Sequence, residues 1–290
     1  MDKLSLTVIF LTLNEEFHIG EAIDNVRDIA NEIFVLDSLS ADKTVDIAIE
    51  KGAKVYQRRF TGFGDQWNAA LQKLPITTEW TMKMDPDERL TVDLKREISS
   101  TIRAPEDFEA FDIVPALFFM GQSLHTEMIP VTRIWRTGSC AFSKTAVNEH
   151  LLVSGKKKCL KNRLLHLDCR DLHQWVDKQN RYTTAEAIKR FRGGREVVEP
   201  KLFGNFLQRR MWLKRVSHKV PFRRTMLFLY YYVIRGLWRV GEVGFQYSAL
   251  RAWCGCLADQ KVLEMRKTGR EILLPPNRTG DYDSRCVRCD

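Results

Sequence analysis

Asp85, Asp87 and Glu88 crowd the end of a short apolar run, residues 80–84, with Pro86 wedged between the two aspartates. Carboxylates two residues apart can share a divalent cation whose remaining positions go to water and phosphate oxygens. The same acids could instead only start the helix that follows, where the helix dipole favours negative charge. Pro86, with a fixed φ and no N–H, would stiffen the turn that aims the aspartates. Glu88 is assigned to the helix start and not to the ligands.

These acids need elements that bring them to one place. Residues 4–11 form an almost continuous apolar run, as a strand buried on both faces does. Ile19, Ala22, Ile23, Val26 and Ala30 then recur at helical spacing. Residues 33–36 are strand-like, and 40–51 are predicted helical up to Gly52, a C-cap. Residues 54–57 make a third strand. Trp67, Ala70, Leu71 and Leu74 mark a helix closed by Pro75, residues 80–84 a fourth strand, and Leu94, Ile98 and Ile102 a further helix. The βαβαβαβ order implies an α/β fold with parallel strands and helices on both faces. From 108 to about 167, short strand-like pieces between Pro115, Gly121, Pro130, Gly138 and Gly155 predict a mixed or antiparallel extension. Residues 171–189 are predicted helical.

In open parallel sheets, ligands gather at the carboxyl ends of the strands. Those ends carry Asn14 and Glu15, then Asp37 and Ser38, then Arg58 and Arg59, then Asp85 and Asp87. Acids, an arginine pair and helix N-termini on one rim suit a metal-bound diphosphate. No GxxxxGK[ST] loop is present, and Trp67 stands where a GxGxxG motif starting at Gly62 needs its third glycine. Blander readings stand beside these. Asp37 could cap the helix near Ser40, and Asn14 and Asn68 could cap helices. Arg58, Arg59, Arg133 and Arg136 read as solvated charges near loops, with none singled out.

Taken together, "LTLNEE", "VLDSLSADKT", "GFGDQWNAAL" and "MKMDPDERL" resemble the family 2 glycosyltransferases of the GT-A fold. "VNEHLLVSG" and "LLHLDCRDLHQWVDKQNRYTT" resemble the bacterial branch that adds a sugar, often glucose, to the lipopolysaccharide core. The resemblance covers roughly residues 4–245. It implies an inverting, metal-dependent hexosyltransferase using a nucleotide-diphospho-sugar, such as a UDP-hexose, and a lipid-linked glycan acceptor. Asn14, Glu15, Asp37, Asn68 and Asp85 would then line the nucleotide-sugar, with Asp37 accepting a hydrogen bond from the base and Asp85 near the ribose. Asp85 and Asp87 would be the DxD pair, Asp87 the direct ligand of Mg²⁺ or Mn²⁺, with His166 a third ligand or diphosphate contact. Glu149 would be the general base for the acceptor hydroxyl. Outside the resemblance, Glu149 reads as a solvated loop acid and His166 as a hydrogen-bonded strand-end histidine. Leu39 stands where the family usually has glycine after "DS", and Lys43 where it has glycine before Thr44. A polyprenyl-phosphate glycosyltransferase and a non-catalytic basic membrane-binding module on the same fold are the alternatives.

Composition bounds the rest. With 290 residues, 44% of them hydrophobic and 29% charged, the chain supports a sizeable core. Seven irregularly spaced cysteines do not form a disulfide framework and suit a reduced compartment. Cys286 and Cys289 have no second pair at zinc-ribbon distance. The N-terminal apolar run reads as a strand and not as a signal peptide. Between Glu199 and Glu242 there is no carboxylate but ten Lys and Arg, which account for the whole net charge of +9. There arginines alternate with aromatic and aliphatic residues, and the apolar run at 226–234 is too short to span a bilayer. Such a stretch suits a helix in the headgroup region of an anionic membrane, with an ordinary solvated face on core helices as the blander reading, and nucleic acid is not expected as a partner. The predicted organisation is a GT-A domain at 1–170 (nucleotide-sugar half 1–105, acceptor half 106–170), a helical basic membrane-associating region at 171–268, and a mobile tail at 269–290. The expected location is cytoplasmic, peripheral on the inner face of the cytoplasmic membrane.

Overall fold

A computed structural model describes residues 3–124, 129–142, 151–167, 171–193, 201–204, 208–209, 212, 216, 222–273 and 287–288. Glu149, much of the basic stretch before 222, most of the tail and both of its cysteines lie outside the described residues. The chain packs into two compact units. One comprises Met1–Phe118, Met128–Asp168 and Asn277–Asp290, and the other Phe119–Glu127 and Cys169–Pro276.

In the first unit, the unalternated apolar runs become the central strands. β1 (Leu4–Thr12) lies parallel between β2 (Ala30–Asp37) and β4 (Trp80–Met84), and β3 (Lys54–Gln57) continues parallel beyond β2. The crossovers are α1 (Ile19–Val26), α2 (Thr44–Glu50) and α3 (Phe63–Lys73), as parallel pairing requires. After β5 (Glu88–Leu90) and α4 (Val92–Arg103) come β6 (Phe108–Ile113), β7 (Pro115–Phe119) and β9 (Val131–Arg136), while β8 (Gln122–Ser123) falls within the residues of the second unit. β10 (Cys140–Phe142) pairs antiparallel with β11 (Leu151–Val153), and β12 (Lys156–Cys159) and β13 (Leu164–His166) follow. β9 is the antiparallel member, inserted between β4 and β6. With β14 (Val287–Arg288), the sheet order is β12-β6-β9-β4-β1-β2-β3-β14. The fold is thus α/β with a mainly parallel sheet and a mixed extension.

Two expectations change. The helix predicted from residue 40 begins only at Thr44, because side chains capture the preceding N–H groups. Asp37 takes that of Ser40, Asn14 that of Ala41 and Glu16 that of Lys43. Glu88 is not a helix-start acid. It opens β5, a buried strand antiparallel to β13 with Glu88 opposite His166, and α4 starts later under a Thr91 cap that accepts from the Leu94 N–H at 3.1 Å. This short strand, two of whose three residues are charged, carries no apolar pattern that would announce it between β4 and α4.

The second unit is helical. α5 (Leu172–Phe191) is capped by Asp171, which accepts from the Gln174 N–H at 2.8 Å. α6 (Arg223–Leu229) passes into a π-turn (Tyr230–Ile234) and a 3₁₀ turn (Leu237–Val240), then α7 (Glu242–Thr268). Phe119, Trp175 and Tyr247 stack edge-on or tilted around one centre. Asp259 on α7 pairs with Arg190 of α5 and Arg223 of α6. Gly244 is obligatory, since a Cβ there would lie 1.9 Å from the Leu237 carbonyl. No helix among the described residues is long and apolar enough to cross a membrane.

Glu97 on α4 fastens the turn into β13, accepting from the N–H groups of Lys161 (2.7 Å) and Asn162 (2.8 Å) and from the Asn162 amide (2.8 Å). Burial pushes its carboxyl up, but these donors outweigh burial and hold it below its ordinary 4.5. A depressed folded-state value contributes stability that is complete above about pH 4.5 and is lost as pH falls through the folded value. Glu97→Gln is expected to lose about 1–2 kcal/mol at pH 7 and to flatten that acid limb, as thermal melts between pH 7 and 3 would show.

Candidate active site

Strand register builds the rim. Thr12 of β1 pairs with Asp37 of β2, which pairs with Gln57 of β3, so the three side chains stand in a row at the carboxyl ends. Asp37 is fully buried and its carboxylate is saturated. One oxygen accepts from the hydroxyls of Thr12 (2.8 Å) and Ser40, the other from the Ser40 N–H (2.8 Å) and the Gln57 amide (3.0 Å). The row therefore shapes the turn at 38–40, where Leu39 takes the left-handed φ of +64° that glycine favours. A contact between Asp37 and a nucleotide base requires one of those donors to give way.

Asn14 is also left-handed at φ +57°, which its short polar side chain tolerates. Its main-chain N–H donates to the Ser40 hydroxyl and its side-chain Oδ1 accepts from the Ala41 N–H, both at 2.8 Å. The Glu15 N–H donates to the Thr44 hydroxyl at 2.7 Å, while its main-chain carbonyl receives the first N–H groups leading into α1. Asn68 on α3 forms a reciprocal pair with the main chain of Phe142, both bonds 2.9 Å, tying the helix to β10. Asn14, Glu15 and Asn68 are thus part of the rim's scaffolding in this structure.

The acidic turn after β4 is held from inside. The Glu88 N–H donates to the Asp85 carbonyl at 3.0 Å, and the Asp85 N–H donates to Glu88 Oε2 at 2.9 Å. Buried Arg89 donates to the Pro86 carbonyl at 2.7 Å. The carbonyl of Asp87 accepts from the Leu167 N–H at 2.8 Å, which brings the end of β13 against the turn.

Arg133 on β9 sits at the centre. Its guanidinium donates to Asp85 Oδ2 at 3.2 and 3.3 Å and to Glu88 Oε1. The arginine side chain is 6% exposed and Glu88 fully buried, while Asp85 is 40% exposed toward the rim. Arg133 is therefore not the solvated charge expected. A cation directly before Ile134 and Trp135 on a buried strand must meet carboxylates, and that apolar setting was the available signal. Burial pushes the Glu88 carboxyl up despite Arg133. Desolvation pushes the Asp85 carboxyl the same way, but Arg133, Lys83 and His166 outweigh it and hold it below its ordinary value. Lys83, also overlooked in the sequence, lies 4.9 Å from the centroid of the Trp67 ring.

His166 ends β13 with Nδ1 3.5 Å from Glu88 Oε1 and Nε2 3.8 Å from Asp87 Oδ2. The structure thus brings Asp85, Asp87 and His166 together, with Asp85 already turned to Arg133. Among the described residues, no group of three His, Cys, Asp or Glu side chains is gathered tightly enough to hold an ion. Asp87 and His166 offer one oxygen and one nitrogen donor, which fits a divalent ion that keeps diphosphate and water oxygens in its other positions.

Residues 7–115 match the family model described as Glycosyl transferase family 2. A glycosyltransferase of Rickettsia typhi is 25% identical, the match covering 96% of this chain and 92% of that protein. The lipopolysaccharide core biosynthesis glycosyltransferase LpsC of Rhizobium meliloti is 24% identical over 84% of this chain and 86% of that protein. Among solved structures, a glucosyl-3-phosphoglycerate synthase from Mycobacterium tuberculosis, crystallised with Mn²⁺, UDP and glucosyl-3-phosphoglycerate, has a TM-score of 0.32 and 23% identity, covering 41% of this chain and 45% of that one. That overlap is too small to bear on the site.

Asp37→Asn would set an amide N–H₂ against hydroxyl, amide and main-chain donors. It is expected to cost about 1–3 kcal/mol, seen as a lower urea midpoint at unchanged slope.

Proposed function

From the premise that residues 7–115 are a family 2 glycosyl transferase domain, we propose that this glycosyltransferase moves a hexose from a nucleotide-diphospho-sugar, a UDP-hexose, to a lipid-linked glycan such as lipopolysaccharide core, with inversion and with Mg²⁺ or Mn²⁺. The carrying observation is the meeting of Asp85, Asp87 and His166 at the carboxyl-end rim, backed by the buried Arg133. Relatedness to LpsC over most of both chains supports the acceptor class.

Asp87 and His166 would hold the divalent ion, which when bound neutralises charge building on the departing diphosphate. Asp85, steered by Arg133, faces the ribose side. Asn14, Glu15, Asp37 and Asn68 serve the nucleotide-sugar by fixing the loops around it. Inversion in one displacement forms the bond from the acceptor oxygen to the anomeric carbon as the bond to diphosphate breaks. The electron pair leaves with the diphosphate, and the acceptor proton goes to a general base. Glu149 is proposed for that base, from the sequence resemblance alone.

The second unit supports attachment at an anionic membrane surface, on the inner face of the cytoplasmic membrane. α6 and the π-turn bury no side chain. Met226, Leu229, Val233 and Ile234 are each about half exposed or more, as is Trp238, with Arg224 and Arg239 exposed among them. Apolar side chains beside arginines suit the headgroup boundary.

EDTA and Asp87→Ala are each expected to lower hexose transfer by about 100-fold or more, read with a panel of UDP- and GDP-sugars. Undiminished transfer would overturn the metal role. Glu149→Gln is expected to cost about 10²–10⁴-fold; a near-silent variant would shift the acceptor to a lipid phosphate, which needs less of a base. Vesicles containing phosphatidylglycerol are expected to co-sediment the protein, with Ile234→Asp and added salt each reducing the bound fraction severalfold. Equal binding to purely zwitterionic vesicles would contradict the electrostatic part.

A further inference from the structure

The buried acid Glu88 belongs neither to the ligand pair nor to a helix start, yet its carboxylate meets the Asp85 main chain, Arg133 and His166. One oxygen accepts the Asp85 N–H at 2.9 Å. The other takes the Arg133 guanidinium and lies 3.5 Å from His166 Nδ1. Cross-strand pairing enforces the last contact, since Glu88 of β5 and His166 of β13 are direct antiparallel partners. The opposite ring nitrogen, Nε2, faces Asp87 Oδ2 at 3.8 Å.

We propose that Glu88 is a positioning residue that holds His166 as its Nδ1–H tautomer, with Nε2 directed into the space it shares with Asp87. A fully buried carboxylate beside Nδ1 favours a proton on that nitrogen, so the lone pair resides on Nε2. Metal-binding histidines are commonly oriented by a carboxylate on their other nitrogen, and loss of such a partner weakens metal affinity by about 10- to 100-fold. Arg133 completes the device. It balances the charge of Glu88 and also grips Asp85, so the histidine and the first aspartate are aimed by one buried ion pair. The metal half of this inference rests on the proposed divalent-ion role of Asp87 and His166; the tautomer half rests only on the strand pairing and the contacts.

The test uses the full chain with selective ¹⁵N-histidine labelling. Two-bond ¹H–¹⁵N spectra assign the His166 tautomer, with His166→Asn identifying its signals, and Mn²⁺ titration in the presence of UDP is followed by electron paramagnetic resonance. Wild type is expected to show Nδ1–H. Glu88→Met is expected to release the ring toward the Nε2–H form and to weaken Mn²⁺ binding by about 10- to 100-fold. Because Glu88→Met leaves the buried Arg133 guanidinium with Asp85 as its remaining carboxylate, Glu88→Met/Arg133→Met removes both charges and is expected to recover stability without recovering the tautomer. An Nε2–H ring in wild type, or an unchanged tautomer in both variants, would overturn the proposal. So would a changed tautomer with Mn²⁺ affinity within twofold of wild type. If wild type takes up no Mn²⁺ with UDP, the metal-site reading fails, while the tautomer comparison still decides whether Glu88 sets the ring.

Discussion

The buried pairing of Arg133 with Glu88 is the interaction on which the rim depends. A fully buried glutamate and a guanidinium that is 6% exposed are tolerable because each answers the other's charge, with Asp85 as a further partner of both. Replacing both with apolar residues could leave the fold as stable or more so, so stability alone does not explain their presence. Geometry does. Glu88 holds the Asp85 N–H and Arg133 holds the Asp85 carboxylate. The main chain and the side chain of one exposed acid are thus fixed by one buried pair.

A second constraint is the register of the three parallel strands. Thr12, Asp37 and Gln57 meet because β1, β2 and β3 are paired without offset at their carboxyl ends. A slip of one residue would turn Asp37 into the opposite face and leave the donors of the 38–40 turn without an acceptor. Saturation of Asp37 also explains how Leu39 is tolerated at positive φ. The left-handed residue costs about 1–2 kcal/mol, and four hydrogen bonds on the neighbouring carboxylate over-determine the turn that imposes it.

Much of this was legible in the sequence where periodicity and strand order carry the signal. The first four strands and the helices between them follow from apolar runs and helical spacing, and strand order alone brings Asp37, Asp85 and Asp87 to one rim. What the sequence hides is pairing between distant segments. Asn68 reads as a cap or a substrate contact, yet it bonds the main chain of Phe142, seventy-four positions away. Arg133 reads as a solvated charge because nothing nearby on the chain predicts its partners forty-five and forty-eight positions earlier. Glu88 is misassigned for the same reason. Its three-residue strand exists only because β13 lies beside it, and local propensity cannot announce a strand made by its neighbour.

The charge balance of the site bears on what it can attract. The acids Asp85, Asp87 and Glu88 are answered by Arg133, Lys83 and, when protonated, His166, so the turn is not a bare anionic well. Such a well would draw any divalent ion from solution. Two protein donors, with a neighbouring aspartate already turned to an arginine, make a weak chelator by themselves. The same arrangement gains when an ion arrives carrying a diphosphate, because the diphosphate oxygens fill the remaining coordination positions and the nearby cations offset their charge. Under the proposed function, Arg133 would favour the metal–diphosphate complex over the free metal, which would link the packing of β9 to the choice of what the rim accepts.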